Sequence, residues 1–85
     1  MNAADTVVAV IDIIASSLQL GERGRSLTSE SRLLGAIPEF DSMAVVVVVT
    51  SLEERFGFAV DDDEIDAEVF QTVGSLADFV ERKLA

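Results

Sequence analysis

The chain contains no histidine, cysteine, tyrosine or tryptophan, and only one proline. Without histidine, the side chain that ordinarily acts as general base near neutral pH is missing. With cysteine missing too, neither a serine–histidine nor a cysteine–histidine relay can be assembled from this chain. The same lack removes disulfides and thiolate metal sites as braces, and nothing marks an oxidising compartment. Lysine is almost absent as well, because Lys83 stands alone near the end of the sequence. If chemistry takes place on this protein, another molecule has to bring the machinery, and an enzyme is not expected.

Positive charge is scarce overall: Lys and Arg number 6 against 16 Asp and Glu, a net charge of −10. Binding nucleic acid through phosphate contacts needs the opposite sign, and an anionic membrane surface would repel the chain. A partner with a basic patch, reached by electrostatically steered encounter, suits it better. The plainer reading is that the charge only keeps a small protein soluble. Long apolar runs are also lacking. Val7 to Leu18 is preceded by Asp5 and interrupted by Asp12. That pattern fits neither a secretory signal, which needs a basic flank, nor a membrane span of about 20 apolar residues. The expected location is cytoplasmic, with no membrane insertion.

A length of 85 residues allows one domain, residues 1–85, and the 49% hydrophobic content is enough for it to fold. A chain this short buries only about 60–65% of its unfolded surface, which leaves room for one small core and no deep catalytic cleft. A monomer is expected.

Val7, Val10, Ile11, Ile14 and Leu18 follow the spacing of one helix face and predict a first helix over 5–19, with Asp5 or Thr6 as its cap and Gly21 as its stop. Residues 21–41 read as a long connection punctuated by Gly21, Gly24, Gly35 and Pro38 and carrying Arg23, Arg25 and Arg32. Leu27, Leu33, Leu34 and Ile37 are expected to fold it over the core, with a turn of helix after Thr28.

The next segment is a contest between propensities. Val45 to Val49 are five consecutive valines, a strand-like run. In a helix each costs about 0.6 kcal/mol against alanine, roughly 3 kcal/mol in total. Yet Asp41-Ser42 is a good helix start, Gly57 is a good stop, and no partner strands are evident. A second helix over 42–56 follows. Leu52, Phe56, Val49, Val48 and Val45 then face inward, and Met43, Val46, Val47 and Thr50 form an apolar outer stripe. Such a stripe calls for cover, either from a partner or from the 21–41 loop.

The acidic run Asp61-Asp62-Asp63-Glu64-Ile65-Asp66 can start a short third helix that buries Ile65 and Val69 or Phe70. It does not form an EF-hand: a loop starting at Asp61 has Asp66 where glycine is needed and Thr72 where glutamate is needed. Acids at a helix start are stabilising on dipole grounds alone, so no metal site is assigned beyond weak divalent binding. Thr72 caps a last helix with Val73, Leu76, Phe79, Val80 and Leu84 inward, and Arg82 and Lys83 in its final turn. The expected fold class is all-α: an up-down bundle of three longer helices and one short one, with a long loop between the first two.

Asp41-Ser42-Met43, opening a helix after a long loop in an acidic four-helix pattern, resembles the acyl carrier protein family. The likeness extends to Leu52-Glu53-Glu54-Arg55-Phe56-Gly57, to the acidic third helix and to Thr72-Val73-Gly74-Ser75-Leu76. The resemblance implies that Ser42 accepts 4′-phosphopantetheine from coenzyme A, so that the arm's thiol can hold an acyl group as a thioester. It further implies that Asp41 helps orient the modifying phosphopantetheinyl transferase, with Met43 beside the attachment point. Acyl-activating or acyl-transferring enzymes would dock on Met43, Val46, Val47, Glu53 and Glu54. Catalytic residues are not expected. The physical logic is consistent, since a serine at a helix N-terminus is exposed, the helix dipole tolerates a phosphate there, and Ser42 has no base of its own.

The chain departs from the family's pattern at several places. Met43 replaces the common leucine, a volume-conserving change, and Phe40 stands where glycine or alanine is frequent. Ala44 and Val47 occupy positions that usually carry acids, so a dedicated, more hydrophobic partner is implied. Leu34-Gly35-Ala36-Ile37-Pro38-Glu39-Phe40-Asp41-Ser42-Met43 also resembles carriers encoded with bacterial exosortase and exopolysaccharide systems. A competing expectation is an unmodified acidic adaptor, or a degenerate carrier that only docks a partner. In that case Asp41 or Ser42 serves merely as a helix cap.

Overall fold

The computed structural model describes residues 3–38 and 40–85. Three α-helices make up most of it: α1 (Ala3–Ser17), α2 (Ser42–Phe56) and α3 (Val73–Leu84). Short 3₁₀ segments, Gly21–Ser26 and Asp62–Glu64, lie in the two connections. The all-α expectation of three longer helices and a short one before the last is met, with a further short segment in the first loop. Among the described residues there is no strand; pairing is limited to an isolated bridge between Arg32 and Thr72.

α1 packs against both α2 and α3. Its buried face is centred on Val10 and Ile14, with Thr6, Ala9 and Ile13, while Val7, Ile11 and Leu18 sit at the margin. Both predicted ends need correction. Asp5 and Thr6 lie inside the helix, after its first residue and not ahead of it. Thr6 is buried, and its hydroxyl donates to Glu81 Oε1 at 3.1 Å, tying α1 to α3. The stop is Gln19 and not Gly21. Gln19 turns left-handed at φ 53°, its amide donates to Ser16 O, and the Leu20 amide reaches back to Ala15 O at 3.0 Å. This is a Schellman closure built without glycine.

α2 forms despite its valines because both ends are well closed. Asp41 Oδ1 accepts from the Ala44 amide at 2.9 Å. At the other end Gly57 adopts φ 75° and donates to Glu53 O. Val48, Val49 and Leu52 are buried, with Val45 and Phe56 partly so, and this packing outweighs the propensity deficit.

α3 starts on a reciprocal capping box between Thr72 and Ser75. Val73, Leu76, Ala77, Phe79 and Val80 are buried; Leu84, expected inside, is exposed because the helix ends there.

The long loop is pinned to the start of α3. Leu33 N donates to Gln71 O at 3.0 Å, Val73 N to Ser31 O at 3.0 Å and Gly74 N to Ser29 O at 2.7 Å. The orphan amides of the first turn of α3 are thus satisfied by loop carbonyls. Leu20, Leu33 and Phe40 enter the core, Leu27 and Ile37 pack at its edge, and Leu34 stays exposed against expectation. The helical turn expected after Thr28 is absent. A tight turn closed by Ser31 N and Thr28 O stands in its place, and the loop's helical segment comes earlier.

The third helix is a single 3₁₀ turn. Asp61 and Glu64 cap it reciprocally, and Glu64 also binds Lys83 Nζ at 2.9 Å. The Asp61 amide, and after it the Lys83 ammonium, hold the Glu64 carboxyl below the usual carboxylate range. Ile65 follows the turn and is only partly buried, whereas Val69 and Phe70 both enter the core. No helix of the described residues is long and apolar enough to cross a membrane.

Candidate functional site

Ser42 is the first residue of α2 and is exposed. Its position follows from the cap. Asp41 takes an extended conformation at φ −105° and ψ −171°, and its side chain turns down onto the Ala44 amide. Asp41 O accepts from Val45 N at 3.0 Å. One oxygen of the aspartate is therefore committed to the helix, and the serine beside it is exposed. Among the described residues, none hydrogen-bonds the Ser42 hydroxyl. The amides of Ser42 and Met43, at the first two helical positions, have no acceptor within the helix. An incoming phosphate group meets a rigid helix end carrying partial positive charge. An unencumbered hydroxyl on such an end fits the covalent phosphodiester that the family resemblance implies.

Beyond Ser42 the outer stripe is open. Met43 is 69% exposed, Val46 57% and Val47 43%, and Thr50 is exposed as well. The 21–41 loop leaves this stripe uncovered. Thr50 turns its hydroxyl back onto Val46 O at 2.9 Å, which satisfies its donor within the helix. Glu54 is exposed near the end of the same stripe and borders a shallow groove between α1 and α2 with Asp12, Ser16 and Arg55. Glu53 is placed differently. Its Oε2 accepts from the Val60 amide at 2.8 Å, which anchors the segment after α2. Ala44 needs correction: it does not share the outward surface with Val47 but is buried, as the first inward residue of α2. Glu39, part of the Leu34–Met43 stretch, lies outside the described residues.

One neighbour of the site was undervalued in the sequence. Phe40, two residues before Ser42, is buried, and its ring lies 6.0 Å from that of Phe70 at 44°. Its signal was its position. An apolar residue just ahead of a helix cap commonly packs back onto the helix it precedes.

The comparisons with known proteins agree with this geometry. The family model for the phosphopantetheine attachment site matches residues 8–80. An acyl carrier protein of Syntrophobacter fumaroxidans is 34% identical over 85 residues, spanning 100% of this chain and 99% of that protein. One from Thermotoga maritima is 35% identical over 84 residues and covers 99% of both chains. The solution NMR structure of a holo acyl carrier protein from Nitrosomonas europaea superposes with a TM-score of 0.85 at 62% identity. That match covers 92% of this chain and 94% of that one. By sequence, by fold and by the exposed serine that opens α2, the chain belongs to the acyl carrier protein family, whose members carry acyl groups on a phosphopantetheine prosthetic group for acyl-handling enzymes.

Proposed function

We propose that Ser42 is the residue that carries the arm, and that residues 1–85 act as one carrier domain, monomeric and cytoplasmic. The observation that carries this reading is the free, exposed hydroxyl of Ser42 at the first position of α2, beside an Asp41 whose Oδ1 caps the helix. Ser42 Oγ attacks the phosphorus of coenzyme A nearer the pantetheine. The Oγ–P bond forms as the pyrophosphate bond breaks, the adenosine bisphosphate half leaves, and the hydroxyl proton passes to a base. A phosphopantetheinyl transferase supplies that base, because this chain has no histidine and Asp41 commits one carboxylate oxygen to its helix cap. Once attached, the arm supplies a thiol that holds acyl groups as thioesters. The chain itself holds the arm's root rigid and presents a face to partners, and it is not an enzyme.

Met43, Val46, Val47 and Glu54 form that face. Glu53 contributes its edge while one of its oxygens holds Val60. Exposed apolar side chains directly after Ser42 suit acyl-activating or acyl-transferring enzymes whose docking surface is apolar at its centre and basic at its rim. That is the character of a dedicated partner, in keeping with the resemblance to exosortase-associated carriers.

Intact-mass measurement tests the assignment. Incubation with a transferase, coenzyme A and magnesium is expected to add the mass of one phosphopantetheine to the wild type and nothing to Ser42→Ala. Equal gain in both would move the attachment elsewhere. No gain in either would favour the unmodified adaptor.

A further inference from the structure

An enzyme that makes a bond to Ser42 Oγ has to press its own surface against whatever surrounds that hydroxyl. Among the described residues, the exposed large apolar side chains are Val8 on α1, Leu84 at the end of α3, and four that stand before and after Ser42: Leu34, Met43, Val46 and Val47. Three of these four belong to the outer stripe of α2. Leu34, 39% exposed, comes from the loop. Its backbone pairs with the segment before α3, and its side chain is left to solvent. The fold nevertheless ties it to the attachment end. The Leu34 amide donates to Phe70 O at 3.4 Å, the Phe70 ring meets that of Phe40 at 6.0 Å, and Phe40 stands two residues before Ser42. Between Leu34 and Ser42 the chain turns twice. Leu33 O accepts from the Ala36 and Ile37 amides, and Ile37 O from the Phe40 amide. A side chain presented from so constrained a turn loses little freedom when it is bound. Charge is nearly missing here as well. Residues 33–52 hold only Glu39 and Asp41 as charged side chains, in a chain whose charged fraction is 26%. Contact with this stretch therefore draws its free energy from apolar burial.

We infer, resting on the assignment of the arm to Ser42, that the surface met by the phosphopantetheinyl transferase continues past α2 onto the loop, with Leu34 as its apolar anchor there. The fitting partner is a transferase whose rim around its coenzyme A site is apolar and uncharged, with one part for the α2 stripe and another for Leu34. A rim of polar or charged groups would lose water against Leu34 and gain no hydrogen bond in return, so the same side chain rejects the wrong enzyme. A second copy of this chain is a poor occupant, because each copy carries a net charge of −10. Leu34 touches no reacting atom. Its role is to select and seat the enzyme.

The test measures kcat and KM for the carrier in the loading reaction, using a phosphopantetheinyl transferase that modifies the wild type, with coenzyme A and magnesium. Leu34→Ser removes the apolar side chain, and Leu34→Gln keeps its size while making it polar. Val8→Ser and Leu84→Ser remove exposed apolar side chains outside the collar. Loading that persists in Ser42→Ala, or fails in the wild type, strikes the attachment assignment itself and is read first. With Ser42 confirmed, both Leu34 variants are expected to raise KM about three- to tenfold with kcat little changed. The Val8 and Leu84 variants are expected to match the wild type in both constants. Melting temperatures of the Leu34 variants are expected to stay at the wild-type value, since the side chain lies outside the core. Unchanged KM in the Leu34 variants, or an equal rise in the Leu84 variant, overturns the inference and leaves Ser42 standing. Leu34 variants that fail to fold overturn it too, by giving the side chain a structural role. So does a wild type that sediments as a dimer and becomes a monomer in Leu34→Ser, which would assign Leu34 to a second copy.

Discussion

Gly74 shows how one residue can carry a constraint opposite to its usual role. A glycine in the first turn of a helix would ordinarily be improved by alanine, by about 1 kcal/mol. Here a Cβ would come 2.8 Å from Ser29 O, the carbonyl that accepts the Gly74 amide. Because that oxygen belongs to the backbone of the pinned loop, the added methyl has to push the loop off α3. Gly74→Ala is expected to lower stability by about 1–3 kcal/mol, seen as a reduced urea midpoint with an unchanged slope. An increase would show that the loop yields freely. Gln19 is a second such residue. It holds a left-handed conformation that costs a side-chain-bearing residue about 1–2 kcal/mol, and α1 closes on it because Leu20 must enter the core.

At the scale of elements, α2 combines two roles that pull against each other. Val48 and Val49 contribute to folding through burial, whereas Val46 and Val47 are largely exposed and have little burial to offset the helix penalty of a β-branched residue. Replacing Val46 and Val47 together by alanine is expected to stabilise the fold by about 1 kcal/mol, raising the melting temperature by about 4–8 °C. The same change should weaken binding to a partner acyltransferase. A fall in melting temperature would mean that these valines support the core after all. The ends and faces of α2 were legible in the sequence because cap, stop and periodicity are local signals, and Asp41, Gly57 and the Leu52–Val48–Val45 spacing announce them. The end of α1 was not legible, because its stop lies in the φ of a glutamine and its buried face is shared with α3. The ladder between the 29–34 and 70–74 segments was hidden too. It pairs backbone groups far apart in the chain, and no side-chain pattern marks them. The exposed serine was readable from its motif, whereas the ring beneath it was not, since burial of Phe40 depends on Phe70 arriving from the other connection.

For the molecule as a whole, sixteen acids against six bases mean that folding gathers like charge. Among the described residues, Lys83 with Glu64 relieves part of it at the end of α3. Raising ionic strength from about 0.01 M to about 0.15 M shortens the screening length from roughly 30 Å to roughly 8 Å, and the melting temperature is expected to climb by several degrees. A flat response would show that repulsion is minor. That same ion pair also bears on a carrier's safekeeping of its load. A thioester gives up its acyl group to amines irreversibly, by forming an amide. Lys83 is the sole lysine of the chain, and both carboxylate oxygens of Glu64 hold its nitrogen, at 2.9 and 3.0 Å. Tied to Glu64 by these two donated hydrogen bonds, this side chain is held in place and is not free to swing onto its own protein's cargo.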